Sequence, residues 1–189
     1  MILIPEPLTS EAFAPFGDVI EANAAAHSFL INGGTTQRFH DLAEVTCGNE
    51  GVDGQDTAQA RVGISIFRGQ ARVFPLPVTM LERHPKGSQA FIPLQALPYL
   101  VVVAPNGEND EPDLDRLRLF YVKAKQGVNY RQGTWHHPLL ALAEISDFLV
   151  VDRIAGGPNC DEFYFPKEVQ FMIEATDYTQ SSCDSSEID

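Results

Sequence analysis

Residues 80–94 read "MLERHPKGSQAFIPL". The segment is strand-like, yet it holds an acid and a histidine two residues apart and a glutamine just past a Pro-Lys-Gly-Ser turn. Side chains on a strand alternate between faces. Within "VTMLERH", Val78, Met80, Glu82 and His84 fall on one face, and Thr79, Leu81 and Arg83 on the other. If Val78 and Met80 face an interior, so do Glu82 and His84. A buried carboxylate must be paired, hydrogen-bonded or metal-bound. Gln89 follows the turn, where the next strand can bring it beside the pair.

The same texture extends in both directions. "RVGISIFRG", "VFPLPVTMLERH", "QAFIPL", "YLVVVAP", "LRLFYVKA", "GVNYRQG" and "DFLVVDRIAGG" are short, rich in Val, Ile and Phe, and separated by Pro, Gly and Asn. Closely spaced short strands predict an all-β sandwich or small barrel. Thr9 or Ser10 can cap a short helix through "SEAFAPFG". "FLINGG" reads as a strand ending in an Asn-Gly turn, and "TCGNEGVDGQDTAQA" as an exposed loop. "PNGENDEPDLDRLRLF" connects two strands and holds a helical turn, while "FPKEVQFMIEATD" fits either a short helix or an edge strand. The expected organisation is a single domain over residues 1–165, with an N-terminal extension, followed by a segment over 166–189 that ends in an acidic tail.

Composition narrows the function. The chain has 189 residues, 44% of them hydrophobic, enough to bury one full core. Its formal net charge of −13 repels phosphate backbones, so nucleic acid is excluded as a partner. Cys47, Cys160 and Cys183 form no C-x-x-C pair and no disulfide framework. The start "MILIPEPLTSEAF" lacks the basic and long apolar regions of a signal peptide. No apolar run approaches the roughly 20 residues that cross a bilayer. The expectation is a soluble cytoplasmic protein with no membrane partner.

A second polar cluster lies at "GVNYRQGTWHHPL", residues 127–139. Adjacent histidines on an extended chain point opposite ways, so only one of His136 and His137 can face the interior of Glu82. Together the clusters resemble the two motifs of the cupin superfamily, a double-stranded β-helix. The first motif here is Glu82-x-His84, four residues, then Gln89. The second is Gly127, five residues, then Gly133-Thr134-Trp135-His136. The resemblance implies Glu82, His84, Gln89 and His136 as metal ligands. Glu stands for the usual first histidine and Gln for the usual glutamate. A neutral glutamine carbonyl is a weaker ligand than a carboxylate, so any ion is held less tightly than in an ordinary metallocupin.

A closer resemblance rests on "INGG…QRFHDL", "LERHPKGSQAFIPL", "LRLFYVKAKQGVNYRQGTWHHPL" and "DFLVVDRIAGGPNCDE". These are similar to the ureidoglycolate lyase family, which cleaves ureidoglycolate to glyoxylate and urea in purine and allantoin breakdown. That implies an elimination with no redox cofactor. A divalent metal, nickel by family resemblance, is associated with it. The implied catalytic residues are Glu82, His84 and His136. His84 or His136 takes the hydroxyl proton, and Glu82 passes a proton to the leaving nitrogen. Gln89 orients the ureido group, and Tyr130 is a further substrate contact. Arg68 is one anchor for the substrate carboxylate; Lys123 and Arg153 are rivals. The reading also includes a homodimer that buries a sheet edge. Two other functions fit the same pocket: an amidohydrolase releasing ammonia and carbon dioxide, and a non-catalytic cupin that binds a small carboxylate.

Overall fold

A computed structural model describes residues 1–48, 59–142 and 144–175. Most of the expected Gly- and Asp-rich loop, the acidic tail and Cys183 lie outside the described residues.

Two sheets face each other across the main core. One is five-stranded, in the order Gly17–Ile20, Gly127–Tyr130, Gln89–Pro93, Ser146–Ile154, Arg61–Gly69. The other is seven-stranded. Its path runs Asp161–Tyr164, Met80–Arg83, Trp135–His136, Tyr99–Ala104, Arg118–Val122, Glu6–Pro7, with Leu140–Ala141 also paired to Tyr99–Ala104. Alternation assigns their inner faces. Val101, Val103, Phe120 and Val122 of the larger sheet meet Phe91, Val128, Phe148 and Val150 of the smaller one. The all-β expectation is met, with strands wrapping a cupin-type interior.

The larger sheet buries its other face too. Leu100, Val102, Ala104 and Leu119 pack with Leu3, Val78, Phe171 and Ile173. The last four belong to a three-stranded sheet in the order Ile2–Leu3, Phe171–Ile173, Leu76–Val78. The Tyr99–Ala104 strand is therefore buried along its whole length, which explains its unbroken apolar run. Phe171–Ile173, in the stretch compatible with helix or edge strand, is the central strand of this third layer. Both its neighbours pair with it, and Ile173 is fully buried.

Helical structure is slight. Ser10–Phe13 is one turn, capped by the Thr9 hydroxyl accepting from the Ala12 amide at 3.1 Å. It drives Phe13 into the main core, where its ring meets Phe120 edge-on. The connection after Tyr99–Ala104 holds two 3₁₀ turns, Glu108–Asp110 and Leu114–Arg116. Ser28–Ile31 and Thr36–Phe39 form a separate two-stranded hairpin. Arg38, His40 and Phe29 cluster on it, so these residues staple the hairpin.

Two glycines set the second cluster. A Cβ on Gly127 would lie 2.8 Å from the Phe91 carbonyl, so only glycine allows that approach. Gly133 has φ +78°, a turn conformation that glycine adopts freely, and it returns the chain so that His136 enters the larger sheet.

One part of the face assignment changes. Residue 79 lies between two separate strands, Leu76–Val78 and Met80–Arg83, and the alternation restarts there. Val78 packs in the outer core beside Leu81, not on the face of Glu82. Glu82 still faces inward, because it is registered opposite His136, which is paired to inward-facing Val103.

Candidate active site

Four side chains from two sequence-distant segments converge at one end of the inner layer. Glu82 and His136 come from neighbouring strands of the larger sheet. His84 lies just past the strand of Glu82, and Gln89 opens the facing strand in register with Tyr130. One ligand atom each from Glu82, His84 and His136 can be chosen so that all three lie within 4.8 Å of one another.

The hydrogen bonds fix the state of each ring. His136 Nδ1 lies 2.8 Å from the Thr134 carbonyl, which can only accept, so the proton sits on Nδ1. Nε2 then carries a lone pair. Among the described residues it is buried without a hydrogen-bond partner, 3.7 Å from Glu82 Oε1. That distance suits an ion pair, but burial lowers the pKa of His136 to about 3 and keeps the ring neutral. The Tyr130 ring stacks on it at 4.1 Å and 12°. Tyr130 thus contributes a wall, and burial raises its own pKa.

His84 repeats the pattern. Its Nδ1 is 2.7 Å from the Asn159 carbonyl and its Nε2 3.1 Å from Gln89 Oε1. With the proton on Nδ1, two lone pairs oppose each other across the second contact. Glu82 is half-buried, and desolvation raises its pKa while the nearby His84 opposes the rise. Cys160 Sγ donates toward Glu82 Oε2 at 3.8 Å. The cluster therefore presents an excess of acceptors over donors. That donor set, with the orphaned His136 Nε2 at its centre, fits a cation. Glu82, His84 and His136 would hold it.

The other expected residues lie elsewhere. Arg68 is on the edge strand, exposed, and doubly bonded to Asp147 at 2.7 and 2.8 Å. On its ladder Asp147 faces Arg68 and Asp152 faces Gly63, so Arg68 sits five residues, about 16 Å, from the level of Asp152. Lys123 pairs with Glu21 at 2.8 Å and is largely exposed. Arg153 is buried on the opposite face from Asp152 and donates to the Gly48 carbonyl. Strand parity alone could not separate these cations, because it says nothing about position along a strand. His137 bonds the Pro138 carbonyl, leaving His136 as the histidine of the cluster.

Two supporting residues were not read from sequence. Asn159 accepts from His84 with its carbonyl and binds the Lys86 amide with its side chain at 2.9 Å. Asp152 accepts from Gln89 Nε2 at 3.3 Å. A signal for Asp152 existed: in "FLVVD" it shares parity with inward-facing Phe148 and Val150.

Arg83, one residue from Glu82, faces the other way. It lies 4.5 Å over Trp135, bonds Asp161 at 2.9 Å, and pairs with Asp110, whose carboxyl it holds well below the usual range. This clamps the strand that carries Glu82. A cleft of about 680 Å³ is lined by Arg83, Pro85, Gln132, Gly133 and Thr134, neighbours of the cluster in sequence, but by none of its three chelating side chains. The lone pairs converge on the inner face, away from this cleft.

Comparison with known proteins points the same way. The family model described as ureidoglycolate lyase matches residues 1–172. The chain is 54% identical to a ureidoglycolate lyase of Pseudomonas entomophila (strain L48), covering 90% of this chain and 96% of that one. It is 52% identical to one from Pseudomonas savastanoi pv. phaseolicola, covering 91% and 95%, and 48% identical to one from Azotobacter vinelandii, covering 91% and 97%.

Proposed function

Because this chain belongs to the ureidoglycolate lyase family, we propose that the Glu82–His84–His136 cluster cleaves ureidoglycolate to glyoxylate and urea. The substrate carbon bears a hydroxyl, a carboxylate and a ureido nitrogen. His84 Nε2, left with a lone pair because Nδ1 donates to the Asn159 carbonyl, takes the hydroxyl proton. The O–H electrons form the new C=O bond, and the C–N electrons leave with nitrogen. Glu82, whose neutral form burial favours, gives that nitrogen its proton. Urea is released, and the proton on His84 returns to Glu82, whose carboxylate lies within 4.8 Å of it. Gln89 presents its amide oxygen to the ureido N–H groups. His136, held neutral by burial, stands beside both, 5.3 Å from His84 between ring centroids. Alternatively, a divalent ion, nickel in this reading, would be held by Glu82, His84 and His136 in place of these proton transfers and would supply Lewis-acid stabilisation toward the alkoxide.

The observation that carries this reading is the convergence of Glu82, His84 and His136, with ligand atoms within 4.8 Å of one another. Its test is product analysis of variants. Glu82→Gln and His84→Asn are each expected to lower urea release at least ~100-fold, the scale of a lost acid–base group, with melting temperatures no lower than the parent's. Near-normal turnover in both variants refutes the assignment. Ammonia in place of urea from the parent refutes the elimination.

The same reading includes a cytoplasmic homodimer. No described helix is long and apolar enough to cross a membrane. Arg61–Gly69 is a sheet edge whose outward residues Val62, Ile64 and Ile66 are 45%, 72% and 55% exposed, a surface suited to a second copy.

A further inference from the structure

Gln89 is 5% exposed, and its amide is caught between two groups. On one side Asp152 Oδ2 lies 3.3 Å from Nε2; on the other His84 Nε2 lies 3.1 Å from Oε1. An amide can turn end for end, and the two orientations present opposite chemistry. A carboxylate accepts only, so the NH₂ end must face Asp152. The oxygen is thereby turned toward His84, whose Nδ1 already donates to the Asn159 carbonyl. Taken alone, the His84–Gln89 contact favours the reverse arrangement, with the NH₂ donating to the free Nε2 lone pair. Asp152 forbids it, since the reverse sets an amide oxygen against a buried carboxylate. Asp152 Oδ1 is itself buried without a partner, so nothing else neutralises that side through hydrogen bonding.

We infer that Asp152 is a positioning residue, fixing the Gln89 amide so that its oxygen joins Glu82, His84 and His136 as a fourth donor to a divalent cation. The inference rests on the reading of those three residues as the site. It explains how a neutral glutamine serves in a cation-binding set. The negative charge stands one layer back, oriented by Asp152, and polarises the amide toward the cluster. Residues that orient ligands in this way typically change metal affinity by about 10–100-fold when altered.

The test is calorimetric titration of nickel(II) into the metal-free protein. Asp152→Asn is nearly isosteric but can donate to Gln89 Oε1, so the amide is free to turn and block His84. At least tenfold weaker binding is expected. The exchange Gln89→Glu with Asp152→Asn restores a carboxylate–amide pair in inverted order. Its carboxylate faces His84 directly, and affinity is expected to return to the parent's or exceed it. A purely structural role for Asp152 would not give that recovery. Binding by Asp152→Asn within twofold of the parent overturns the inference, as does an exchange variant no tighter than the single one, or a parent that binds no nickel. His136→Ala separates this from the site itself. Retained nickel binding in that variant sinks the site reading, whereas its loss alongside an unaffected Asp152→Asn sinks only the role of Asp152.

Discussion

His136 has an aromatic ring stacked on one face and, among the described residues, no hydrogen bond at Nε2, so its protonation is a stability question. Burial lowers its folded-state pKa to about 3, against an ordinary 6.5. The stabilisation is present above the unfolded value and is lost as pH falls toward 3, because the unfolded chain takes up a proton that the fold refuses. Between pH 7 and 5 this amounts to about 2 kcal/mol, or roughly 4–8 °C in melting temperature for a domain of this size. Metal-free parent should show that extra loss relative to His136→Asn when both are melted across the range; parallel curves would contradict the burial argument. Glu82 works with the opposite sign. Its raised pKa favours the fold below about 4.5, and that contribution disappears as pH climbs through the folded value. Arg68→Ala and Lys123→Ala are expected to keep steady-state turnover within about twofold, because each side chain is tied to a surface acid away from the cluster. Legibility at this scale followed chemistry. Glu82 and His84 were readable because buried polar groups on a strand need partners, Gln89 because it follows the turn, and His136 only through the spacing that resembles the second cupin motif. The anchor cations were not, since an arginine beside an apolar residue has the same local signature on an edge strand as in a pocket.

The strand Met80–Arg83 shows how one break governs an element. Alternation within it is strict: Leu81 is fully buried in the outer core while Glu82 faces inward. Leu81→Ala should cost about 2–5 kcal/mol in denaturant unfolding, as a cavity in a packed layer does. A cost under 1 kcal/mol would mean that the outer layer does not hold the catalytic strand. Gly127→Ala is expected to destabilise as well, because the added carbon meets the Phe91 carbonyl with no room to shift. Most strands could be read directly from their β-branched runs and turn residues. The restart at Thr79 could not. There the chain changes partners, Leu76–Val78 pairing with Phe171–Ile173 and Met80–Arg83 with Asp161–Tyr164, and such tertiary pairing has no local signature. The strand Phe171–Ile173 was ambiguous for a related reason. Three residues are too few to show a period, and both of its partners are far away in the chain.

For the molecule as a whole, a layered β architecture leaves one edge apolar and open. If Arg61–Gly69 buries against a second copy, Ile64→Asp should sediment at half the parent's mass while each monomer keeps its melting profile near the parent's. An unchanged sedimentation mass would place the dimer elsewhere. The fold class was legible from the density of short strands, but the third layer was not, because its three strands, Ile2–Leu3, Leu76–Val78 and Phe171–Ile173, are far apart in sequence. Ile2–Leu3 runs parallel to Phe171–Ile173, and the Met1 ammonium donates to the Gln170 carbonyl 169 positions away. Ile2–Leu3 thus waits for a neighbour made about 170 residues later. The layer behind the larger sheet closes only once Phe171–Ile173 has left the ribosome, so shorter ribosome-bound intermediates expose the apolar back of that sheet to chaperones.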